Sequence, residues 1–294
     1  MTTTTQPRLF VTGAAGQLGR FVIDALLKRA PAGAIVAGVR SVDGDAAKDL
    51  RARGIEVRAA DYDRPELLAS AFNGIGRLLL ISASEVGVRV GQHRNVIDAA
   101  KRAGVGLIAY TSLLRADTSP LALAEDHRRT EAALGASGLP FVLLRNSWYT
   151  ENYAASIKPA LAHGVFLGCA QNGRIASATR GDYAEAAAVV LTTDNHAGLI
   201  YELAGDEGYT LTEFAAAVAA EAARPVVYRD LPEAEFEAAL LKAGLPGELA
   251  GILANSDAGV AQGGLDDGGR QLSVLIGRPT TPYQAVIRQA LSTS

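Results

Sequence analysis

Gly13-Ala14-Ala15-Gly16-Gln17-Leu18-Gly19 places a glycine at every third position, directly after the apolar run Leu9-Phe10-Val11-Thr12. Apolar residues then recur at helical spacing through Leu26, so the order is strand, glycine turn, helix. Such a turn leaves backbone amides bare at a helix start, where the helix dipole favours negative charge; its chemistry is the binding of a phosphate. The glycines have separate tasks: one bends the chain, one lets the backbone approach the anion, and one lets the helix pack closely on its sheet. A second stretch, Arg145-Asn146-Ser147-Trp148-Tyr149-Thr150-Glu151-Asn152-Tyr153, combines amides with three aromatic rings. Asn146 can hydrogen-bond a carbonyl oxygen, and Trp148, Tyr149 or Tyr153 can flank a flat molecule, unless the rings are simply core at a domain junction.

A third group is notable for what it lacks. Ser112 ends the apolar run 106–112, where reductases built on a doubly wound sheet place a serine. Their tyrosine and lysine, four apart on the next helix, are replaced by His127 and Glu131. The usual proton donor for interconverting alcohols and ketones is therefore missing, which weighs against a sugar epimerase or a common alcohol dehydrogenase. His127 is a candidate donor, although a histidine on a polar helix face is more often solvated or structural. His93, His127, His163 and His196 are scattered without ligand spacing, so no metal is expected, and no serine lies in a nucleophile elbow.

The elements that must position these residues alternate. Strands are expected at 9–12, 34–40, 55–61, 77–82, 106–112 and 141–145, with helices between them that include 46–53, 65–72, 90–103 and about 121–137. Continuously apolar strands in this order define an α/β chain with a doubly wound parallel sheet, a Rossmann architecture. Ligands then lie beyond the carboxyl ends of the strands, so Gly16, Arg40, Asp61, Ser82, Ser112 and Asn146 are expected along one rim. An acid at the end of the second strand suits the ribose hydroxyls of NAD, whereas an arginine suits a 2'-phosphate. Arg40 therefore points to NADPH, with Asp43 and Asp45 as the competing ribose partners. Asp61 is placed near the adenine, and Ser82, Ala83 and Ser84 are small enough to let a ribose lie against the backbone.

Beyond Tyr149 the alternation is lost. A helix is expected over 152–163, a loop carrying Phe166 and Cys169 over 164–173, and a return to the sheet over 175–179. A helix over 182–192 and a strand over 199–203 follow. Thr210 with Glu213 has the spacing of a capping box, 225–228 reads as a short strand, and 263–269 is a glycine-rich loop. Thr281 is expected to cap the last helix with Pro282 at its first position. The sheet domain is thus 7–150 plus about 175–204, and a second, smaller, mostly helical domain on the substrate side is about 151–174 plus 205–294.

A net charge of -3 and a pI near 5.9 leave no basic footprint for nucleic acid or an anionic membrane. The single cysteine, Cys169, excludes an internal disulfide framework, suits a reducing compartment, and reads as a small buried residue. Residues 1–7 lack the features of a signal peptide, and apolar runs such as 78–81 are strand length, so a cytoplasmic protein is expected.

The 13–19 turn, Ile108-Ala109-Tyr110-Thr111-Ser112-Leu113-Leu114, Asp117-Thr118-Ser119-Pro120-Leu121, Leu144-Arg145-Asn146-Ser147-Trp148-Tyr149, Ile175-Ala176-Ser177-Ala178-Thr179-Arg180 and Leu275-Ile276-Gly277-Arg278-Pro279-Thr280-Thr281 carry a resemblance over essentially the whole chain. Together they resemble the NmrA-like branch of the atypical short-chain dehydrogenases, and within it the bacterial NADPH:quinone oxidoreductases of the second type. The resemblance implies that NADPH lies on Gly13, Ala15, Gly16, Gln17, Leu18 and Gly19, with Arg40 near its phosphate and Ser82, Ala83 and Ser84 beside it. It also implies that Arg145 and Asn146 line the nicotinamide, that Asn146 holds a quinone, and that Arg180 matches a residue reaching the cofactor. Ala15 replaces the commoner threonine of the turn, and Ser147 replaces a glycine. The implied reaction is direct two-electron hydride transfer to a quinone without flavin, with Asn146 and Tyr149 hydrogen-bonding the carbonyl. A redox sensor that binds NADP(H) without turning it over, and a reductase of other planar acceptors such as dyes, are the alternatives; a homodimer is compatible with each.

Overall fold

The computed structural model describes residues 7–85 and 87–292. Strands β1 (Leu9–Val11), β2 (Ile35–Val39), β3 (Glu56–Ala59), β4 (Arg77–Leu80), β5 (Leu107–Leu113) and β6 (Phe141–Asn146) alternate with helices α1 (Gln17–Leu27), α2 (Asp45–Ala52), α3 (Pro65–Ala71), α4 (Arg89–Arg102) and α5 (Ala124–Ser137). Next come α6 (Thr150–Ala154), α7 (Ile157–His163), β7 (Val165–Gly168), α8 (Arg180–Thr192) and β8 (Ile200–Leu203). The chain continues with α9 (Leu211–Ala222), β9 (Val227–Asp230), α10 (Glu233–Lys242), α11 (Gly247–Ala261), α12 (Gln271–Ile276) and α13 (Tyr283–Ser292).

The main sheet runs β3-β2-β1-β4-β5-β6-β8. β1 pairs in parallel with β2 on one side and β4 on the other, Phe10 standing opposite both Val36 and Leu78. Strand order therefore reverses beside β1, the position at which doubly wound sheets open a crevice for ligands. Every residue of β1, β2 and β5 is buried, as helices covering both faces of a parallel sheet require. Phe10 meets Phe72 of the loop after α3 edge to face, with ring centroids 5.0 Å apart.

Two compact units share the chain. The first holds the residues up to Ser112 with Asp126–Arg145 and Tyr183–Tyr201; the second holds Leu113–Glu125, Asn146–Asp182 and everything from Glu202. This division differs from the expected domains: 113–125, 146–150, 175–182 and 202–204 belong with the second unit, which takes up nearly half of the chain. That unit is mostly helical and closes around an aromatic core of Tyr153, Phe166, Tyr209, Phe214 and Tyr283.

Several local expectations are corrected. Residues 165–168 form a strand, not a loop, paired in parallel with β9 through Phe166 and Tyr228. Residues 175–179 do not join the main sheet; Ile175 bridges Tyr209 and Ala178 bridges Tyr149. The helix expected over 152–163 is two helices, α6 and α7. The last helix begins at Tyr283, so Pro282 precedes its first position and Thr281 lies one residue too early to cap it; the Thr281 hydroxyl instead donates to Asp182 Oδ1 at 3.0 Å and its amide to Oδ2 at 3.0 Å. The capping box at α9 is present: Glu213 N–H donates to Thr210 Oγ1 at 3.1 Å and Thr210 N–H to Glu213 Oε2 at 2.7 Å.

Candidate functional site

In the first unit, the chain leaving β1 turns at Gly13, whose φ of +56° is the left-handed conformation that glycine adopts without strain. Thr12 anchors the approach to this turn. Its hydroxyl donates to Leu79 O at 3.0 Å and accepts from Ile81 N–H at 3.0 Å, tying the end of β1 to the end of β4. Gly16 stands at the N-cap of α1 with no side-chain cap, and the first turn of the helix carries no acid. The first amides of α1 have no intrahelical carbonyl to meet, so they offer a cradle of positive potential. A methyl group on Gly19 would stand 2.7 Å from Ala14 Cα, so only glycine lets the helix start this close to the turn. Gly13, Gly16 and Gln17 are exposed, and Leu18 sends its side chain into the core. The features of a dinucleotide-phosphate cradle are therefore present.

Arg40, one residue past β2, is exposed, its nearest counter-charge being Glu85 at 3.9 Å. Of the competing ribose partners, Asp45 is paired with Lys48 at 2.9 Å. Asp61 accepts the amide of Asp63 at 3.1 Å, shaping the turn after β3. After β4, Ser82 N–H donates to Thr111 Oγ1 at 2.8 Å and Ala83 N–H to His93 Nε2 at 2.9 Å, while Ser84 is exposed.

The group around Ser112 is built on an ion pair. Glu131 accepts from Ser112 Oγ at 2.5 Å, from Arg145 Nε at 3.0 Å and from Arg145 Nη2 at 2.7 Å. The fork of the guanidinium matches both carboxylate oxygens, and both side chains are almost wholly buried. Arg145 is thereby tied to Glu131 within the first unit, and the Ser112 proton is held by a carboxylate. His127 is buried, with Nδ1 2.8 Å from Tyr110 Oη. Burial, reinforced by Arg89 and His93, holds its pKa well below the ordinary histidine range, so His127 is a neutral structural residue.

In the second unit, the segment after β6 is stitched on both sides. Ser147 N–H donates to Leu203 O at 2.8 Å, Ala178 N–H to Trp148 O at 3.1 Å, and Thr150 N–H to Ala178 O at 3.0 Å. Trp148 and Tyr153 turn into the core, and Tyr153 donates to Asp257 Oδ1 at 2.9 Å. Of the three rings expected to flank a ligand, only Tyr149 is half-exposed. Burial raises the pKa of its phenol, opposed by a hydrogen bond from the Asn146 amide and by the Arg180 cation. Arg180 lies over the Tyr149 ring, 4.5 Å from its centroid, and donates to Asn152 Oδ1 at 2.9 Å. Asn146 Oδ1 is buried without a hydrogen-bond partner. An orphaned buried acceptor costs free energy unless a ligand donates to it, and the carboxamide N–H of a nicotinamide is such a donor.

Sequence reasoning missed two carboxylates. Asp182, fully buried, gathers Thr179, Thr281 and Arg278, the last at 2.8 Å. Asp257 sits in the core beside Tyr153 and Cys169, where desolvation raises its pKa to about 6. An acid in the first turn of the alanine-rich α8 was the available signal for Asp182; nothing local marked Asp257.

A strand-turn-helix cradle on a doubly wound sheet defines a dinucleotide-binding protein, and the chain belongs to the NAD(P)H-binding family, which it matches over residues 13–194. It is 56% identical to quinone oxidoreductase 2 of Escherichia coli (strain K12) over 271 residues, 92% of this chain and 94% of that protein. The crystal structure of NADPH-dependent quinone oxidoreductase QOR2 from Escherichia coli in complex with NADPH superposes with a TM-score of 0.93 at 54% identity, covering 96% of this chain and 99% of that one. Triphenylmethane reductase of Citrobacter sp. superposes with a TM-score of 0.91 at 36% identity, covering 97% and 99%. The transcriptional regulator NmrA shares the fold at 16% identity and a TM-score of 0.79.

Proposed function

We propose that this chain reduces quinones with NADPH, moving two electrons as a hydride directly to the acceptor without a flavin. The two places where reductases of simple ketones keep their proton-donating tyrosine and their lysine carry the proposal: the tyrosine's place holds His127, buried, neutral and bonded to Tyr110, and the lysine's holds Glu131, bound to Ser112 and Arg145. A ketone becomes an alkoxide, a strong base that needs such a donor; a quinone becomes an aromatic hydroquinone anion, a far weaker base. Positioning is then the main catalytic task. The likeness to a quinone oxidoreductase and to a reductase of triphenylmethane dyes supports an acceptor that is flat and electron-poor.

NADPH, when bound, supplies the hydride. Residues 13–19 would take its pyrophosphate at the N-terminus of α1, Arg40 its 2'-phosphate, and Asp61 and the 82–84 loop its adenosine half. The carboxamide would donate to the orphaned Asn146 Oδ1. Asn146 Nδ2 carries two hydrogens; one meets Tyr149, and the other is available to the quinone oxygen on which charge develops. Tyr149 keeps its phenolic proton above the ordinary tyrosine range, so it donates a hydrogen bond and does not ionise. Arg180 would reach the cofactor from its place over the Tyr149 ring. The final proton comes from water. Cytoplasmic residence, in keeping with a single cysteine, and self-association as a homodimer complete the proposal.

Loss of NADPH absorbance with benzoquinone and naphthoquinone, beside NADH, a triphenylmethane dye and a no-acceptor control, tests the activity. Asn146→Ala is expected to lower kcat/KM for the quinone about tenfold or more, the worth of one donor to a developing anion. Unchanged turnover in that variant removes Asn146 from the chemistry. Tight NADPH binding with no oxidation by any acceptor replaces the enzyme with a redox sensor.

A further inference from the structure

His93 lies on α4, fully buried, and both of its ring nitrogens are engaged. A backbone N–H can only donate, so Ala83 at 2.9 Å fixes Nε2 as an acceptor. The ring hydrogen must then sit on Nδ1 and point at Thr130 Oγ1, 2.9 Å away, whose own hydrogen goes to Asp126 O at 2.9 Å. No rotor in this relay is left free. A buried polar ring costs desolvation that a leucine of similar size avoids, so a requirement on the shape of the loop is the reason for a histidine here.

The neighbours of His93 on α4 do related work. Gln92 donates to Glu85 Oε2 at 2.8 Å and to Asp63, and Asn95 donates to Tyr62 O at 2.8 Å. One face of α4 thus holds the loops that follow β3 and β4, the two loops assigned above to the adenosine half of the cofactor. From the other side Thr111 takes the Ser82 amide, so consecutive amides of the 82–84 loop are held by side chains and not by a strand ladder.

We propose that His93 is a positioning residue for cofactor binding: its Nε2 grips the Ala83 amide and presets the 82–84 loop in the shape that receives NADPH. The proposal rests on the assignment of that loop to the cofactor. Because the Ala83 amide donates to His93 Nε2, removing that acceptor leaves a half-buried N–H that must turn outward to water and take the loop with it.

The test is direct titration of NADPH by its fluorescence, with steady-state kinetics alongside. His93→Leu is expected to raise the Kd and the KM for NADPH about tenfold, with kcat at saturating NADPH changed less than about twofold. His93→Gln, whose Oε1 reaches the position of Nε2, is expected to restore binding to within about threefold of the original chain. Should His93→Leu fail to purify, His93→Gln is compared with His93→Asn, whose oxygen falls short of Ala83 and whose binding is expected to be as weak as predicted for leucine. Unaltered NADPH binding in the leucine or asparagine variant, or a glutamine variant as weak as they are, overturns the role of His93 while leaving the cofactor assignment intact. Failure of the unmodified chain to bind NADPH overturns both.

Discussion

Gly19→Ala and Gly135→Ala are the same chemical change in two helices, and the structure gives them opposite signs. At Gly135, in α5, an added methyl group meets nothing within 4 Å. The variant gains the helix propensity of alanine and is expected to be more stable by up to about 1 kcal/mol. At Gly19, in α1, the methyl group would overlap the Gly13 carbonyl oxygen, with Gly13 C 2.9 Å away and Ala14 Cα 2.7 Å away. All three are backbone atoms, so no side chain can swing aside and the turn itself must move. Overpacking of this kind costs about 1–3 kcal/mol, offset by the same gain in propensity of about 1 kcal/mol, for a net loss of up to about 2 kcal/mol. The larger effect falls on the amides, which lose their common aim; NADPH affinity is expected to drop more than about tenfold. Urea titration reads the stabilities, and quenching or enhancement of NADPH fluorescence reads the affinity. A Gly19→Ala protein that binds NADPH normally and is stabilised like Gly135→Ala would refute the reasoning from close approach.

Two further outcomes follow from charge. His93 is held down to about 3 by burial and by Arg89, and His127 lies well below the usual 6.5 for the same reasons. Depressed folded-state values mean that the unfolded chain binds protons the native one refuses, so these groups contribute stability above about pH 6.5 that is lost as pH falls toward 3. Two such groups give a slope of about 3 kcal/mol per pH unit below pH 6, to be read from urea midpoints at pH 7, 6, 5 and 4.5; a flat profile from pH 7 to 5 would show that the rings are not held neutral. Arg40→Ala is expected to weaken NADPH about tenfold and leave NADH within about twofold, measured by titrating each dinucleotide, and equal weakening of both would sever Arg40 from the 2'-phosphate.

The fold was legible wherever local pattern and burial agree. Continuous apolar runs such as Ile35–Val39 could only be strands covered on both faces, and the glycines at 13, 16 and 19 could only be a turn into a helix. Val165–Gly168 looks like loop in the sequence because four residues carry little periodicity and their partner, β9, lies far along the chain. Spacing alone makes Thr281 a cap, while its hydroxyl answers to Asp182, a long-range carboxylate that no helix-end rule foresees. The same limit governed the site. The sequence shows Glu131 in the place of the usual lysine, but its grip on Arg145 and Ser112 depends on β5, β6 and α5 meeting in space. Trp148 and Tyr153 share the composition of Tyr149, and only packing separates two core rings from the one left half-exposed.

Cys169 bears on how a protein of this function survives its own acceptor. Quinones are electrophiles as well as oxidants, and a thiolate adds to their rings to leave the protein permanently arylated. The chain carries one cysteine; its Sγ is buried and donates to Ala254 O at 3.2 Å, and burial beside Asp257 pushes the thiol up to about 12. At neutral pH it stays protonated inside the core, so the one cysteine of the chain offers no thiolate to a quinone.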